Sequence, residues 1–404
     1  MSLGISAALL GVSPKPTFSL DDPRAVPGGA AQSAGAADRE LTLFLAGDVM
    51  TGRGIDQILP RSVAPRLHEP YVKSADVYVR LAEEENGPIP EEVLHDYVWG
   101  DSLEELARLD PHARIINLET AVTTSDDWWR GKGIHYRMHP GNVPVLTAAG
   151  IDACALGNNH VLDWGYAGLR ETLEALRDVG VQTAGAGADL EEAAAPATLQ
   201  TPAGRLLVFS YGSSSAGVPE EWAAGPARPG VDLLPDLGRE SARRVSEHIQ
   251  AYRQEGDRVV VSLHWGGNWG YPVNARQREF AHRLIDADAA DIVYGHSSHH
   301  PKGIEVYRGR PILYGCGDFL NDYEGIGGKE RFRAELTLMY FPAIDHSGDL
   351  MRLDMTPMRV CRFRLQRASS EEASWLAATL DRESRKLGAR VELDANGRLS
   401  LRWG

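Results

Sequence analysis

Short, almost wholly apolar runs alternate along this chain with amphipathic stretches, and that rhythm predicts the architecture. LTLFLAG from Leu41, ARIINLE from Ala113, IDACALG from Ile151, RLLVFSYG from Arg205, RVVVSLHWG from Arg258 and DIVYGH from Asp291 read as buried strands. The first is expected to stop at Gly47, with TGRGIDQILP leading into a helix that Pro60 ends. Between the strands, VPVLTAAG, the stretch from Trp164 to Gly180, LGRESARRVSEHIQAYRQEG and NARQREFAHRLIDA carry helical periodicity. Leu169, Leu173, Leu176 and Val179 form the apolar face of the second, and Gly256 is the expected stop of the third.

Residues 61–113 interrupt the rhythm as an insertion with helical charge patterns, broken by Pro65, Pro70, Pro88 and Pro90. After His300 the pattern becomes strand-rich. GIEVYRGRPILYG predicts two strands turning at Arg308-Gly309-Arg310, followed by antiparallel strands, a helix capped at Ser370 and a hairpin around Asn396-Gly397. Alternating β and α units followed by strands indicate an α/β layered sandwich. Residues 1–39, apolar at first and then rich in Ala, Gly, Pro and Ser, read as a disordered leader.

At 404 residues the chain is long for one domain. The expected division is the leader, a main domain over 40–330, and strands and a helix over 331–404 that complete the sandwich. The balance of 42 basic against 56 acidic residues argues against nucleic acid as a partner. It leaves an anionic substrate open, because a bound cation reverses the local field. Cys154, Cys316 and Cys361 lack metal spacing and do not suggest a disulfide framework; Cys154 and Cys316 read as buried small hydrophobes. No run reaches the ~18 apolar residues that span a bilayer. The first ten residues lack a basic n-region, which favours the cytoplasm over the envelope.

Polar groups follow the strands one after another. Asp48, Glu119, Asn159 with His160, His264, and His296 with His299 each sit just past an apolar run. Such positions meet at one sheet edge in α/β proteins, where ligands bind beyond the carboxyl ends of strands. GNNHVLDWG is the sharpest piece: an amide oxygen can bridge cations, His160 can act as an acid, and Asp163 can orient it. The mixture of carboxylates, amide and imidazoles suits Zn, Mn or Fe, as one or two ions, better than Ca or Mg. GKGIHYRMHP adds Lys132, His135, Arg137 and His139 in a loop that either shapes a pocket or is solvated. Arg137, His135 and Asn158 are assigned to substrate. Trp265, Trp269 and Tyr271 wall a cleft or pack on the sheet, and Asp318, Asn321 and Asp322 are read as bordering the site.

The ordered series GDVM, NLET, GNNH, HWG and GHSSHH resembles the bacterial capsule-synthesis and poly-γ-glutamate-synthesis (CapA-like) family over about residues 41–325. The resemblance implies a calcineurin-like metallophosphoesterase fold, a four-layer αββα sandwich. It implies Asp48, Glu119, Asn159, His264, His296 and His299 as metal positions and His160 as the general acid, which the residues themselves orient through Asp163. Metallophosphoesterases have Asp-x-His where this chain has Met50 in the third place, and Asp where it has Glu119, so a standard two-metal site is in question. The implied activity is metal-dependent hydrolysis of an anionic small molecule, peptide or polyglutamate. The alternatives are a non-catalytic accessory in polymer assembly and a metal-independent peptide epimerase using Asp48 and His296. Oligomeric state stays open.

Overall fold

The computed structural model describes residues 40–404, so the expected leader over residues 1–39 lies outside the described residues. Two large sheets carry a mixed α/β fold. In the ten-stranded sheet, Leu41–Val49, Ala113–Leu118, Ala153–Ala155 and Gln182–Ala184 run parallel. On the other side of Leu41–Val49 the sheet continues antiparallel through Leu336–Ile344, Leu350–Cys361 and the hairpin Ala389–Leu393 with Leu399–Trp403. The seven-stranded sheet centres on parallel Gly204–Ser213, Arg258–His264, Ile292–His296 and Arg310–Leu313.

The period-two alternation of strand side chains separates the core into three packings. Leu43 and Leu45 face Val208, Val260 and Tyr294 of the other sheet. Phe44 and Ala46 turn the opposite way, onto Tyr78 and Ala82 of the helix Asp76–Asn86 and Leu106 of Ser102–Leu109. Val259 and Val261 turn outward from the second sheet onto Ile249 and Phe280 of the helices Arg239–Tyr252 and Ala275–Asp286. Strands buried on both faces must be apolar throughout, which is why these runs are continuous rather than alternating. Among the described residues no helix is long and apolar enough to cross a membrane.

Four boundaries differ from expectation. The first strand runs through Gly47 to Val49, because Asp48 N donates to Gly317 O at 2.9 Å and Asp318–Leu320 pairs alongside. A Cβ at position 47 would overlap the Gly317 carbonyl, so this glycine serves close approach rather than a stop. The helix Arg239–Tyr252 ends four residues before Gly256, where Arg253 turns extended at ψ 133°. Val179 follows the helix Gly165–Asp178 and is 37% exposed rather than on its buried face. The last helix is capped by Ser369, not Ser370, in a capping box with Glu372.

Candidate functional site

Strand register, more than any loop, assembles the polar groups. Asp48 lies beside Asn117 on one flank and Asp318 on the other, and His264 lies beside His296. Asp48, Asn117, His264 and His296 lie at the carboxyl ends of parallel strands in the two sheets, whereas Asp318 begins its strand. Ser297 N, one residue past its strand, donates to Asp48 Oδ2 at 3.1 Å and ties the two sheet edges together.

Asp48 and Glu119 are buried, at 0% and 2% exposure. Asn117 Nδ2 donates to Asp48 Oδ1 at 2.7 Å and to Glu119 Oε2 at 3.2 Å. Burial and then the Asp318 charge push the Asp48 carboxyl up to about 7. Burial, followed by the charges of Asp48 and Asp318, pushes Glu119 well above the usual carboxylate range. Crowded buried carboxylates of this kind are compensated by a cation.

The imidazoles complete the arrangement. His296 Nδ1 is 2.9 Å from His264 Nδ1 and 3.8 Å from Asp48 Oδ1. His264 Nε2 is 3.0 Å from Asn159 Oδ1 and 3.9 Å from Glu119 Oε1. Burial, with the neighbouring His296, holds His264 well below its ordinary value, and burial pushes His296 down to about 3. Both rings are therefore neutral near pH 7 and keep a lone pair for ligation. His299 Nδ1 lies 2.8 Å from Asp318 Oδ1; burial opposes its protonation, but the Asp318 charge outweighs it and raises the ring.

Two groups have ligand atoms within 4.8 Å of one another: Asp48, His264 and His296, and Asp48, His299 and Asp318. They share Asp48. This donor chemistry, carboxylate oxygens with imidazole nitrogens in a buried pocket, fits a divalent cation. Met50 is buried and receives the Tyr323 hydroxyl on Sδ at 3.5 Å, so the position of the missing His is occupied by packing.

Beside the clusters, His160 Nδ1 is 2.7 Å from Asp163 Oδ2, and its Nε2 points to Glu119 Oε1 at 3.7 Å. Burial lowers His160 to about 4 against the pull of Asp163. Asp163 also accepts from Tyr136 N at 2.6 Å and from Lys132 Nζ at 2.5 Å. Burial alone would raise its carboxyl, but His160 and Lys132 outweigh that and hold it down. A cavity of about 950 Å³ opens over this floor, with Glu119, Asn159, His160, His264, His299 and Lys132 in its lining. Asp48 and His296, both 0% exposed, lie beneath it.

Several expected substrate contacts sit elsewhere. Arg137 is buried away from the cavity, with its guanidinium on Ser125 O, on Asp126 and over the Trp164 ring. His135 is 1% exposed, with Nε2 on Trp129 O. His139 caps a short turn by accepting from Gly141 N. Asn158 is 0% exposed: Nδ2 donates to Asn117 Oδ1 and Leu118 O, and Oδ1 accepts from His160 N and Val161 N. It shapes the loop that presents Asn159 and His160 instead of reaching solvent. Trp265 faces the outer core against Phe280 and Tyr314, whereas Trp269 lines the cavity.

Three residues were underweighted in the sequence. Asp318 belongs to a ligand cluster rather than the border, Lys132 joins His160 and Asp163, and Asn117 bridges the acids. Asn117 had a readable signal, an amide inside an apolar strand one alternation before Glu119. Asp318 did not, because its strand of three residues follows a glycine-rich segment.

Residues 42–323 match the family described as bacterial capsule synthesis protein PGA_cap. The chain belongs to that family. It is 50% identical over 354 residues to a probable polyglutamine synthesis accessory protein of Mycobacterium tuberculosis, covering 87% of this chain and 93% of that one. The PGA biosynthesis protein CapA of Bacillus subtilis is 27% identical over 80% of this chain and 73% of its own length. The capsule biosynthesis protein CapA of Bacillus anthracis is 25% identical, over 70% and 61%. As a PGA_cap member the chain is similar to proteins named for polyglutamine synthesis, PGA biosynthesis and capsule biosynthesis.

Proposed function

We propose that this PGA_cap protein is a metal-dependent hydrolase acting on an anionic polymer of the polyglutamate type, with a metallophosphoesterase-type sandwich as its frame. The convergence of two groups within ligating distance, Asp48 with His264 and His296 and Asp48 with His299 and Asp318, at the floor of one cavity carries the reading. The relatives, named for polyglutamine synthesis, PGA biosynthesis and capsule biosynthesis, support a polymer as the substrate.

Asp48 with His264 and His296, and Asp48 with His299 and Asp318, would hold one or two cations, with Glu119 and Asn159 on the cavity side. A divalent Zn, Mn or Fe ion in such a site supplies electrostatic stabilisation of an oxyanion and a water acidic enough to attack near pH 7. The rest belongs to the chain. Asp163 fixes the His160 ring through Nδ1, which leaves Nε2 directed at the cavity to take a proton from the attacking nucleophile and hand it on to the departing group. Lys132 and Tyr136 N lock Asp163 in that orientation. Burial of the floor excludes bulk water from Asp48 and His296. That same burial disfavours an epimerase in which these two groups exchange a proton with a substrate Cα, since neither reaches the cavity.

The test is elemental analysis of purified protein, joined to assays on poly-γ-glutamate and a phosphodiester with wild type and His160→Ala. We expect bound transition metal in both proteins and at least a hundredfold lower turnover in the variant, the usual scale for losing a general acid. A metal-free protein with no His160-dependent turnover would remove the hydrolase and leave an accessory that only binds.

A further inference from the structure

The cavity wall carries a pair of phenols whose side chains the proposed chemistry does not use. Tyr136 and Tyr323 both line the cavity, and their hydroxyl oxygens are 2.7 Å apart. The Tyr136 ring packs edge-on against His160 at 4.5 Å, and the Tyr323 ring packs edge-on against His299 at 5.5 Å. The pair therefore stands between the proton-carrying imidazole and the ligand group of Asp48, His299 and Asp318. Two phenols bring two protons. One closes the bond between the hydroxyls, and Tyr323 directs the other at Met50 Sδ, at 3.5 Å. A thioether is a weak acceptor, so that second proton is loosely held. Phenols ordinarily titrate at about 10, and burial raises both of these further, which keeps them donors at neutral pH.

A strained segment holds the two rings in place. Arg53, 4% exposed, adopts φ 49°, a left-handed conformation that a residue with a long side chain takes only where its surroundings impose it. Its guanidinium forks onto Asp322, the residue before Tyr323, and Asp322 also accepts from Gly54 N at 2.9 Å. The same cation lies 4.5 Å from the Tyr136 ring and 5.8 Å from the Tyr323 ring. Asp322 and Glu69 neutralise it, the latter from 2.9 Å. The arginine is thus occupied in positioning, and the phenols are what this part of the wall offers a ligand. We infer that Tyr323 donates its hydroxyl proton to a substrate oxyanion at the cavity floor, with Tyr136 as the positioning residue that donates to Tyr323 and polarises it. A negative oxygen is a much stronger acceptor than the Met50 sulfur, so the proton changes partner by rotation of the hydroxyl alone. The inference rests on the hydrolase reading for the reacting group that faces the pair, and it names the donor that recognises the charge on that group.

The experiment measures binding of inorganic phosphate, a minimal oxyanion, to the full chain in Mn-containing buffer by calorimetry. Bound metal and the thermal midpoint report the integrity of each variant. Exchanging either tyrosine for Phe keeps the ring and removes only the oxygen. Tyr323→Phe should bind phosphate about tenfold or more weakly at unchanged metal content, the scale of a hydrogen bond to a charged group. Tyr136→Phe should weaken binding about threefold, and that effect should vanish once Tyr323 is also Phe, because Tyr136 acts only through its neighbour. A merely structural role for Tyr136 would not produce that loss of additivity. Unchanged phosphate affinity in Tyr323→Phe, a Tyr136→Phe effect that persists at full size in the double variant, or no phosphate binding by wild type would each overturn the inference. Loss of metal from Tyr323→Phe would overturn it as well, by making the hydroxyl a support of the floor. Because the readout is binding, a protein that holds phosphate through Tyr323 without turnover refutes the hydrolase and leaves this result standing. A hydrolase whose phosphate affinity ignores Tyr323 refutes only the phenol pair.

Discussion

Asn117 donates from one amide nitrogen to both Asp48 and Glu119, and its carbonyl oxygen accepts from Asn158, so a single neutral side chain joins three segments of the floor. Replacing it with a group of similar size and no donor strands two buried carboxylates. Asn117→Leu should cost about 1–3 kcal/mol in unfolding free energy, the scale for unsatisfied buried acceptors, and should lower bound metal. Asn117→Asp should be worse, since it adds a third acid to the pair. Denaturant titration with metal analysis checks both; a Leu variant with wild-type stability and metal would show that the amide is not what holds the acids in place. His160 has the opposite character. Its local signal, an imidazole in GNNHVLDWG three residues before Asp163, was strong because both partners lie in one turn.

The inserted helix Ser102–Leu109 shows how an element is anchored. Glu105 from that helix accepts from Thr356 at 3.0 Å on the strand Leu350–Cys361, and it pairs with Arg108, Arg367 and Arg398. Burial alone would raise its carboxyl, but the hydrogen bonds from Arg108 and Thr356 and the Arg398 charge outweigh burial and hold it at about 2. A folded value below the unfolded 4.5 means that the ionised form stabilises the fold above pH 4.5. That contribution fades as pH falls from 4.5 toward 2. Glu105→Gln should therefore cost about 1–2 kcal/mol at pH 7, a figure discounted for solvent around the arginines. The gap between variant and wild type should narrow as pH drops below 4.5. Thermal midpoints measured from pH 7 to pH 3 test this, and a gap that stays constant would exclude the carboxylate as its source.

At the scale of the whole molecule, the site exists because two sheets are held in register. Tyr294, buried between them, donates its hydroxyl to Ala46 O, two residues before Asp48 and two before His296 on its own strand. Tyr294→Phe keeps the packing and removes that bond, leaving Ala46 O a partner short. We expect a loss of about 1–3 kcal/mol and faster release of metal to a chelator, because the Asp48, His264 and His296 cluster draws its ligands from both sheets. Unfolding free energy together with chelator-release kinetics measures the two effects. Normal metal release at reduced stability would mean that the sheets are positioned by the apolar interface alone.

The element order was legible because strands buried on both faces must be apolar throughout and helices over a sheet must be apolar on one side, and both patterns are local. The strand-end positions of Asp48, Glu119, His264 and His296 were legible for the same reason: a polar residue ending such a run has few structural uses. What the chain alone did not determine was direction and depth. Arg137, His135 and Asn158 have the chemistry of substrate ligands, yet packing turns them onto Asp126, Trp129 O, and Asn117 Oδ1 with Leu118 O. Asp318 lies 270 positions from Asp48, beside it only through a parallel bridge that Gly47 and Gly317 let close. Local patterns record which face is apolar; which side chains touch is decided by contacts between residues remote in the chain, and those are settled only when the two sheets dock.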